Sequence, residues 1–279
     1  MKKFCIIVNK DRDERLELTG RVQAYLTACG KTCEIRVETL NNPAEFLPVS
    51  SDTECVIVLG GDGTMIRAAN RLKELSVPML GINAGNLGYL TGAEVSETEK
   101  SLERLCSGEF HVERRMMLDV EKNGDYSGTV LNEVAITRSG VSRLISVKVS
   151  VNGALLDVIS GDGLLISTPT GSTGYNMSAG GAIVKPEAEL IMITPLCPHS
   201  LSSRPVIVTA DDEITIEVMQ DSRAQDVDVT ATYDGREAVQ VKAGETLRIH
   251  KSRYATELMK LDERSFFEVL RSKLGKIDR

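Results

Sequence analysis

The stretch "ECVIVLGGDGTMIRAANRL", residues 54–72, changes pattern halfway along. Glu54 to Leu59 is a continuous β-branched and aliphatic run, the mark of a strand buried on both faces and hence of a parallel sheet. Thr64 to Leu72 holds helix formers and no breaker. Between them Gly60, Gly61 and Gly63 surround Asp62. A strand, a glycine turn and a helix start make an anion site. The first helical N–H groups lack intrahelical partners, the dipole is positive there, and glycine admits a phosphate close to the main chain. A carboxylate in that place repels the phosphate and needs a reason. Asp62 is a helix N-cap in an Asp-Gly turn, or the acceptor of a hydroxyl proton during phosphoryl transfer, or a magnesium ligand. No lysine follows the glycines and the spacing is not GxGxxG, so the turn is neither a Walker A loop nor the dinucleotide fingerprint.

Before this turn, Lys3 to Val8 reads as a first strand, since Asn9-Lys10-Asp11-Arg12 ends the apolar run too early for a signal peptide. A helix is expected from about Arg12 to Cys29 and a strand from Thr32 to Glu38. After it, Pro78 to Asn83 reads as a strand. "GINAGNLGYL", residues 81–90, again places glycines after an apolar strand and should line the same end of the sheet as Asp62. Tyr89 there reads as core. Ser96-Glu97-Thr98-Glu99 has the form of a capping box opening a helix to about Ser107. From Arg114 to His250 the signals change to strands and tight turns. Asn123-Gly124 and Asn152-Gly153 fit two-residue hairpins, and Asp234-Gly235 joins two further strands. The tail, Asp262 to Lys276, sets Phe266, Phe267, Val269, Leu270 and Leu274 at helical spacing, an amphipathic helix that docks by packing. The expected domains are a Rossmann-like α/β domain with a mostly parallel sheet over 1–107, an all-β domain over 108–252, and a C-terminal segment over 253–279.

The chain has 279 residues, 42% hydrophobic and 26% charged, which suits a soluble protein of two domains. Its net charge of -7 argues against an extended nucleic-acid or anionic-membrane surface. Six scattered cysteines without CxxC spacing suit reduced thiols in a cytoplasmic protein, and three histidines argue against a His-rich metal site.

The all-β half carries "SGDGLLISTPTGSTGYNMSAGG", residues 160–181. After a short strand, Leu164 to Ile166, its hydroxyls and glycines suit a ligand loop, with Tyr175 free to hydrogen-bond or lie against a ring; composition alone favours a flexible surface loop slightly. Asp162-Gly163 has no alternating strand beyond it to make a hairpin, which favours the ligand loop. Asn132-Glu133 opens the strand "NEVAIT". A carboxylate can accept from both hydroxyls of a ribose and an asparagine amide can match the adenine edge, while the same pair also suits a strand-entry turn. His199 and Arg204, in "PHSLSSRP", read as a structural loop.

Together, Gly60 to Thr64, Asn83 to Leu90, Leu131 to Val134, Asp162 to Leu164, Ser167 to Tyr175, Ser178 to Gly181 and Pro198-His199 resemble the NAD kinase family, in the family's order and across both halves. The resemblance implies an α/β N-terminal domain, a β-sandwich C-terminal domain, a last helix docking back on the first domain, and a homo-oligomer, dimer or tetramer. It implies phosphorylation of the adenosine 2′-hydroxyl of NAD with ATP or polyphosphate as donor and magnesium as cofactor, the residues holding the metal being unassigned. Asp62 becomes the proton acceptor with Gly63 beside it, and Asn132 and Glu133 hold adenosine and ribose groups. Asp162, Thr173, Gly174, Tyr175, Asn176, Met177 and Ser178 surround the dinucleotide, and Arg143 and Ser160 stand where family members also contact it. Two positions depart from the family: Gly174, usually alanine, loosens the loop, and Tyr89, often phenylalanine, adds a hydroxyl. Because diacylglycerol and sphingosine kinases resemble the glycine turn, a lipid kinase is an alternative, and a non-catalytic nucleotide sensor is a third.

Overall fold

The computed structural model describes residues 1–38, 48–83, 88–139, 144–220, 228–261 and 264–275. The chain forms two compact units, Met1–Arg114 with Ala255–Arg279, and Arg115–Tyr254. None of the described helices is long and apolar enough to cross a membrane.

The first unit is an α/β layer built from β1 (Lys3–Asn9), α1 (Glu17–Ala28), β2 (Thr32–Glu38), β3 (Cys55–Leu59), α2 (Asp62–Leu72), β4 (Met79–Asn83), β5 (Ala93–Glu94) and α3 (Thr98–Ser107). The strands are parallel in the order β2-β1-β3-β4, with β5 beside β4. β3 is buried at every residue, as its unbroken apolar run requires. Phe4, Ile6, Val8, Ile57, Leu59, Leu80 and Ile82 share one core with Val22 and Leu26 of α1 and Leu102 and Leu105 of α3. From β1 the chain moves to one side of the sheet and from β3 to the other, so the strand order reverses between them. The carboxyl ends of strands at such a switch point are where α/β sheets bind ligands.

Two helix starts differ from the sequence reading. The first helix begins at Glu17, not near Arg12, because the Asp13 carboxylate accepts from the N–H groups of Leu18 and Thr19 and from the Thr19 hydroxyl. Leu16 turns the chain in the left-handed region at φ 55. The expected capping box at Ser96 is absent: a 3₁₀ turn, Val95–Glu97, leads into α3, and Thr98 Oγ1 donates to Val95 O instead.

The second unit is an antiparallel sandwich of β6 (His111–Lys122), β7 (Asp125–Val130), β8 (Glu133–Arg138), β9 (Ile145–Val151), β10 (Ala154–Gly161), β11 (Gly163–Ser167), β12 (Leu190–Leu196), β13 (Val206–Thr209), β14 (Ile214–Val218), β15 (Val229–Tyr233), β16 (Glu237–Val241) and the first part of β17 (Thr246–Lys260). One sheet runs β13-β12-β11-β8-β15-β16 and the other β10-β9-β14-β17, with β6 on β17 and β7 on β6. Their inward residues meet in one core: Val134, Ile136, Leu164, Ile166, Ile191 and Ala231 from the first, Val147, Val149, Ile214, Ile216 and Leu247 from the second. Asn123-Gly124 and Asn152-Gly153 form the expected two-residue hairpins, all four residues at positive φ. Asp162 makes no hairpin because β10 lies in one sheet and β11 in the other, with one residue between them. A Cβ on Gly163 would stand 2.3 Å from Ile136 O, so the crossing requires glycine there.

A short helix, α4 (Tyr175–Ser178), follows β11 in the second unit, and α5 (Phe266–Leu274) belongs to the first. α5 carries the capping box that the sequence reading placed at Ser96. Ser265 Oγ accepts from Glu268 N, and the Glu268 carboxylate accepts from Ser265 N. Its half-buried face is Phe266, Val269, Leu270 and Lys273, while Phe267 and Leu274, expected to pack, are 57% and 40% exposed.

Candidate active site

At the end of β3 the chain turns through Gly60 and Gly61 into α2. Gly61 is the N-cap, with extended backbone, and Asp62 is the first helical residue, so Asp62 does not cap its own helix. Its half-buried carboxylate instead meets the turn after β4: Tyr89 N donates to Oδ2 at 2.9 Å and Leu90 N to Oδ1 at 3.1 Å. The stretch 81–90 thus lines the Asp62 end of the sheet as expected, although residues 84–87 lie outside the described residues. A Cβ on Gly88 would stand 1.9 Å from Asp62 Oδ1, so only glycine lets the two segments meet. Lys260 Nζ donates to the carbonyls of Tyr89 and Thr91 at 3.4 and 3.3 Å. The Tyr89 ring is half-buried and not plain core: Phe266 lies 6.3 Å away between centroids and Lys273 Nζ 4.1 Å over its face. Burial, then the Asp62 charge, raises the Tyr89 phenol pKa.

The turn lacks a lysine, but a cation reaches it from inside α2. Arg67 donates through Nη2 to Thr64 Oγ1 at 3.0 Å while its Nε lies 2.6 Å from Glu38 Oε2. Glu38 is 3% exposed and also pairs with Arg71 at 2.8 Å. Both cations sit on one buried carboxylate beside the glycine turn, and the Arg67 fork reaches the helix start through Thr64.

In the second unit, Asn132 and Glu133 open β8 beside the end of β11, where Ser167 pairs with Glu133. The Asp234 carboxylate fixes this entry, accepting from the N–H groups of Leu131, Asn132 and Glu133 at 2.9, 2.7 and 3.1 Å. Thr168 N donates to Asn132 O at 2.8 Å, and a Cβ on Gly171 would stand 2.3 Å from that same oxygen, so the 160–181 stretch is packed onto Asn132. It is no flexible surface loop: Ser167, Thr168, Ser172 and Asn176 are fully buried. Four buried side-chain atoms on these adjoining segments have no protein partner: Asn132 Oδ1, Glu133 Oε2, Ser167 Oγ and Thr170 Oγ1. Such orphans are rare in folded proteins and mark places where a ligand or water completes the bonding. Burial, then the Asp234 charge, pushes the Glu133 carboxyl from 4.5 up to about 7.

Family models for the ATP-NAD kinase N-terminal domain and C-terminal domain match residues 46–110 and 131–261. The chain belongs to the ATP-NAD kinase family. The NAD kinase of Lachnoclostridium phytofermentans is 43% identical over 283 residues, 99% of each chain, and that of Agathobacter rectalis 38% identical over 280 residues, again 99% of each. An NAD kinase from Archaeoglobus fulgidus, solved in complex with ATP, superposes with a TM-score of 0.77 at 28% identity over 98% of both chains. Yeast NADH kinase complexed with NADH gives 0.85 at 22% identity, covering 100% of this chain and 89% of that one, a likeness of fold. Members of the ATP-NAD kinase family transfer a phosphoryl group from ATP to NAD, and the match to both domains decides against a lipid kinase that shares only the glycine turn.

The other residues expected from the sequence are spread over several settings. Asp162 pairs with Arg138 at 2.8 Å, and Ser160 Oγ lies 2.7 Å from Ser146 Oγ. Gly174 sits against the orphan cluster, an added Cβ being 3.3 Å from Glu133 Oε2 and 3.5 Å from Asn132 Nδ2. Thr173 and Met177 are half-buried, Tyr175 is 45% exposed and Ser178 is exposed. Asn176 faces inward, its amide donating to Ala182 O and accepting from Thr194 Oγ1, so any ligand contact falls to its backbone. Arg143 lies outside the described residues. His199 N donates to Ser160 O of β10, and Arg204 Nη1 donates to Leu201 O and Ser203 O within its own loop, bonds that suit the structural loop expected. Sequence reasoning gave no site role of their own to Ser167, Thr170 and Gly88, which lay within the motifs it singled out, nor to Asp234, Arg67 and Lys260. Asp234 carried a signal, since an aspartate beside glycine can turn the chain and also cap N–H groups.

Proposed function

We propose that this chain phosphorylates the adenosine 2′-hydroxyl of NAD, with ATP as donor and Asp62 as the acceptor of the hydroxyl proton. The reading rests first on the orphaned polar atoms at Asn132, Glu133, Ser167 and Thr170, which include acceptors and hydroxyls of the kind that a ribose and an adenine edge call for. The Glu133 carboxylate accepts from ribose hydroxyls and the Asn132 amide meets the base, with Tyr175 as an exposed ring platform beside them. Asp62 is oriented by two N–H donors and keeps further lone pairs on both oxygens for a proton. Donor phosphates take the helix start of α2, where Gly63 allows close approach and Arg67 adds charge.

Among the described residues no group of three His, Cys, Asp or Glu side chains could hold a metal ion. Magnesium commonly keeps several waters and binds through one or two carboxylates plus substrate phosphates, and the single half-buried Asp62 carboxylate at the turn fits that mode. It would be held by the donor phosphates with its waters turned towards Asp62, neutralising phosphate charge and leaving that carboxylate to take the proton. Polyphosphate would serve as donor through the same anion site. A homo-oligomer in the cytoplasm completes the reading, supported by the exposed apolar edge of β10, where Leu155 and Val158 are 60% and 48% exposed.

The test is to incubate the pure protein with magnesium, ATP and NAD, and to locate the new phosphate by phosphorus NMR. Formation of NADP with a 2′-phosphomonoester is expected. Binding of NAD with no product would leave a nucleotide sensor.

A further inference from the structure

We infer that the C-terminal helix α5 is a positioning element for Asp62, acting through the ring of Tyr89. The inference rests on the reading of Asp62 as proton acceptor. The carboxylate is held by the N–H groups of Tyr89 and Leu90, so its orientation is only as well defined as residues 88–91. That segment follows β4 and precedes β5 and belongs to neither, so no sheet ladder fixes it. Its own bonds among the described residues are few: Gly88 N to Thr91 Oγ1 at 3.3 Å, and the flanking Gly92 N to Gly81 O at 2.9 Å. Gly88 cannot gain a side chain to stiffen the turn, because a Cβ there would collide with the carboxylate.

Burial of Leu90 and Thr91, at 4% and 5% exposure, anchors the far end of the segment, while the half-buried Tyr89 end is stiffened from outside, from two sides. Lys260, at the end of β17, holds the carbonyls of Tyr89 and Thr91. α5 holds the Tyr89 ring, with Phe266 tilted against it at 42° and the Lys273 ammonium 4.1 Å over its face. Phe266 and Lys273 stand seven residues apart, two turns along the same half-buried face, so the ring is gripped along the helix at two points. α5 has no fully buried residue, so its packing adds little to the core. Its effect falls on where the carboxylate points, and misplacement of a reacting group by about an ångström can cost roughly a hundredfold in rate.

Four variants test this: deletion of residues 264–279 and, in the full chain, Lys273→Gln, Lys273→Arg, and Ser272→Ala as an exposed control on the same helix. For each, kcat, KM for NAD, calorimetric NAD affinity and Tm are measured, in the parent and in the Asp62→Asn background. The deletion should lower kcat by about tenfold or more with NAD affinity held within about twofold. Lys273→Gln should lower kcat by about threefold and Lys273→Arg restore it, since either cation can sit over the ring. With Asp62→Asn the deletion should add no further loss, because the group being positioned is gone. The inference is overturned by an unchanged kcat in the deletion and in Lys273→Gln, by a kcat loss matched by loss of NAD binding, or by the same loss persisting without Asp62. Should the deletion fail to fold, the Lys273 pair carries the test alone. Full turnover by Asp62→Asn itself would instead sink the underlying role of Asp62, a separate result.

Discussion

Replacing Glu133 by glutamine removes a carboxyl that burial and the neighbouring Asp234 charge have raised from 4.5 to about 7. In the free protein the folded state therefore holds this proton when the unfolded chain has lost it. Between pH 4.5 and about 7 the native state binds more protons, so stability falls as pH rises and then stays low. The shift corresponds to roughly 3 kcal/mol, an upper value for a side chain with 8% of its surface exposed. Glu133→Gln should thus raise Tm at pH 8 by roughly 6–10 °C, the gain shrinking to under about 1 kcal/mol at pH 5. NAD binding should show the opposite sign. Ribose hydroxyls donate to the ionised carboxylate, so the dinucleotide selects the deprotonated form, and affinity should rise with pH through the region near 7. NAD affinity measured by calorimetry should be roughly tenfold weaker at pH 6 than at pH 8 in the parent, and flat with pH in Glu133→Gln. A parent whose NAD affinity does not change across that range would refute the assignment of Glu133 to the ribose.

Three further substitutions probe the same two places. Gly88→Ala puts a carbon 1.9 Å from Asp62 Oδ1, so turnover should fall on the order of a hundredfold while calorimetric NAD affinity is kept. Gly174 has φ −93 and ψ −132, and an added Cβ would stand 3.3 Å from both Glu133 Oε2 and the backbone oxygen of Gly171. By reducing the freedom of the unfolded chain, Gly174→Ala should raise thermal stability by roughly 0.4–1 kcal/mol, and a loss instead would show that Glu133 and the Gly171 carbonyl cannot yield. Asp234→Asn keeps one acceptor oxygen, for the N–H groups of Asn132 and Glu133, and removes the charge, so the pH midpoint of NAD binding should fall below the parent's; a rise would contradict the stated cause of the Glu133 shift.

Much of the fold could be read because its signals are local. β3 announced a parallel sheet by an unbroken apolar run, and the Asn-Gly pairs at 123 and 152 demanded positive φ that a two-residue hairpin supplies. What stayed hidden depends on partners distant in sequence. Nothing near Asp62 says that its carboxylate is met by N–H groups 27 and 28 residues away. Nothing near Asp234 says that it closes over the start of β8, a hundred or more residues before it. The S-x-x-E pattern occurs at both Ser96 and Ser265, and tertiary context let only the second form its box. The dense serine and threonine of 160–181 suited a surface loop as well as a ligand loop, yet residues 163–172 are buried, and the Ser167 and Thr170 hydroxyls there have no protein partner.

The central claim is that Asp62 takes the proton as its partner oxygen attacks phosphorus, and Asp62→Asn tests it most directly, since the amide can keep the place while losing basicity. With saturating ATP and NAD, single-turnover formation of NADP should slow by roughly a hundred- to ten-thousandfold, while calorimetry still finds NAD bound at parental affinity. Parental turnover in that variant would contradict the account.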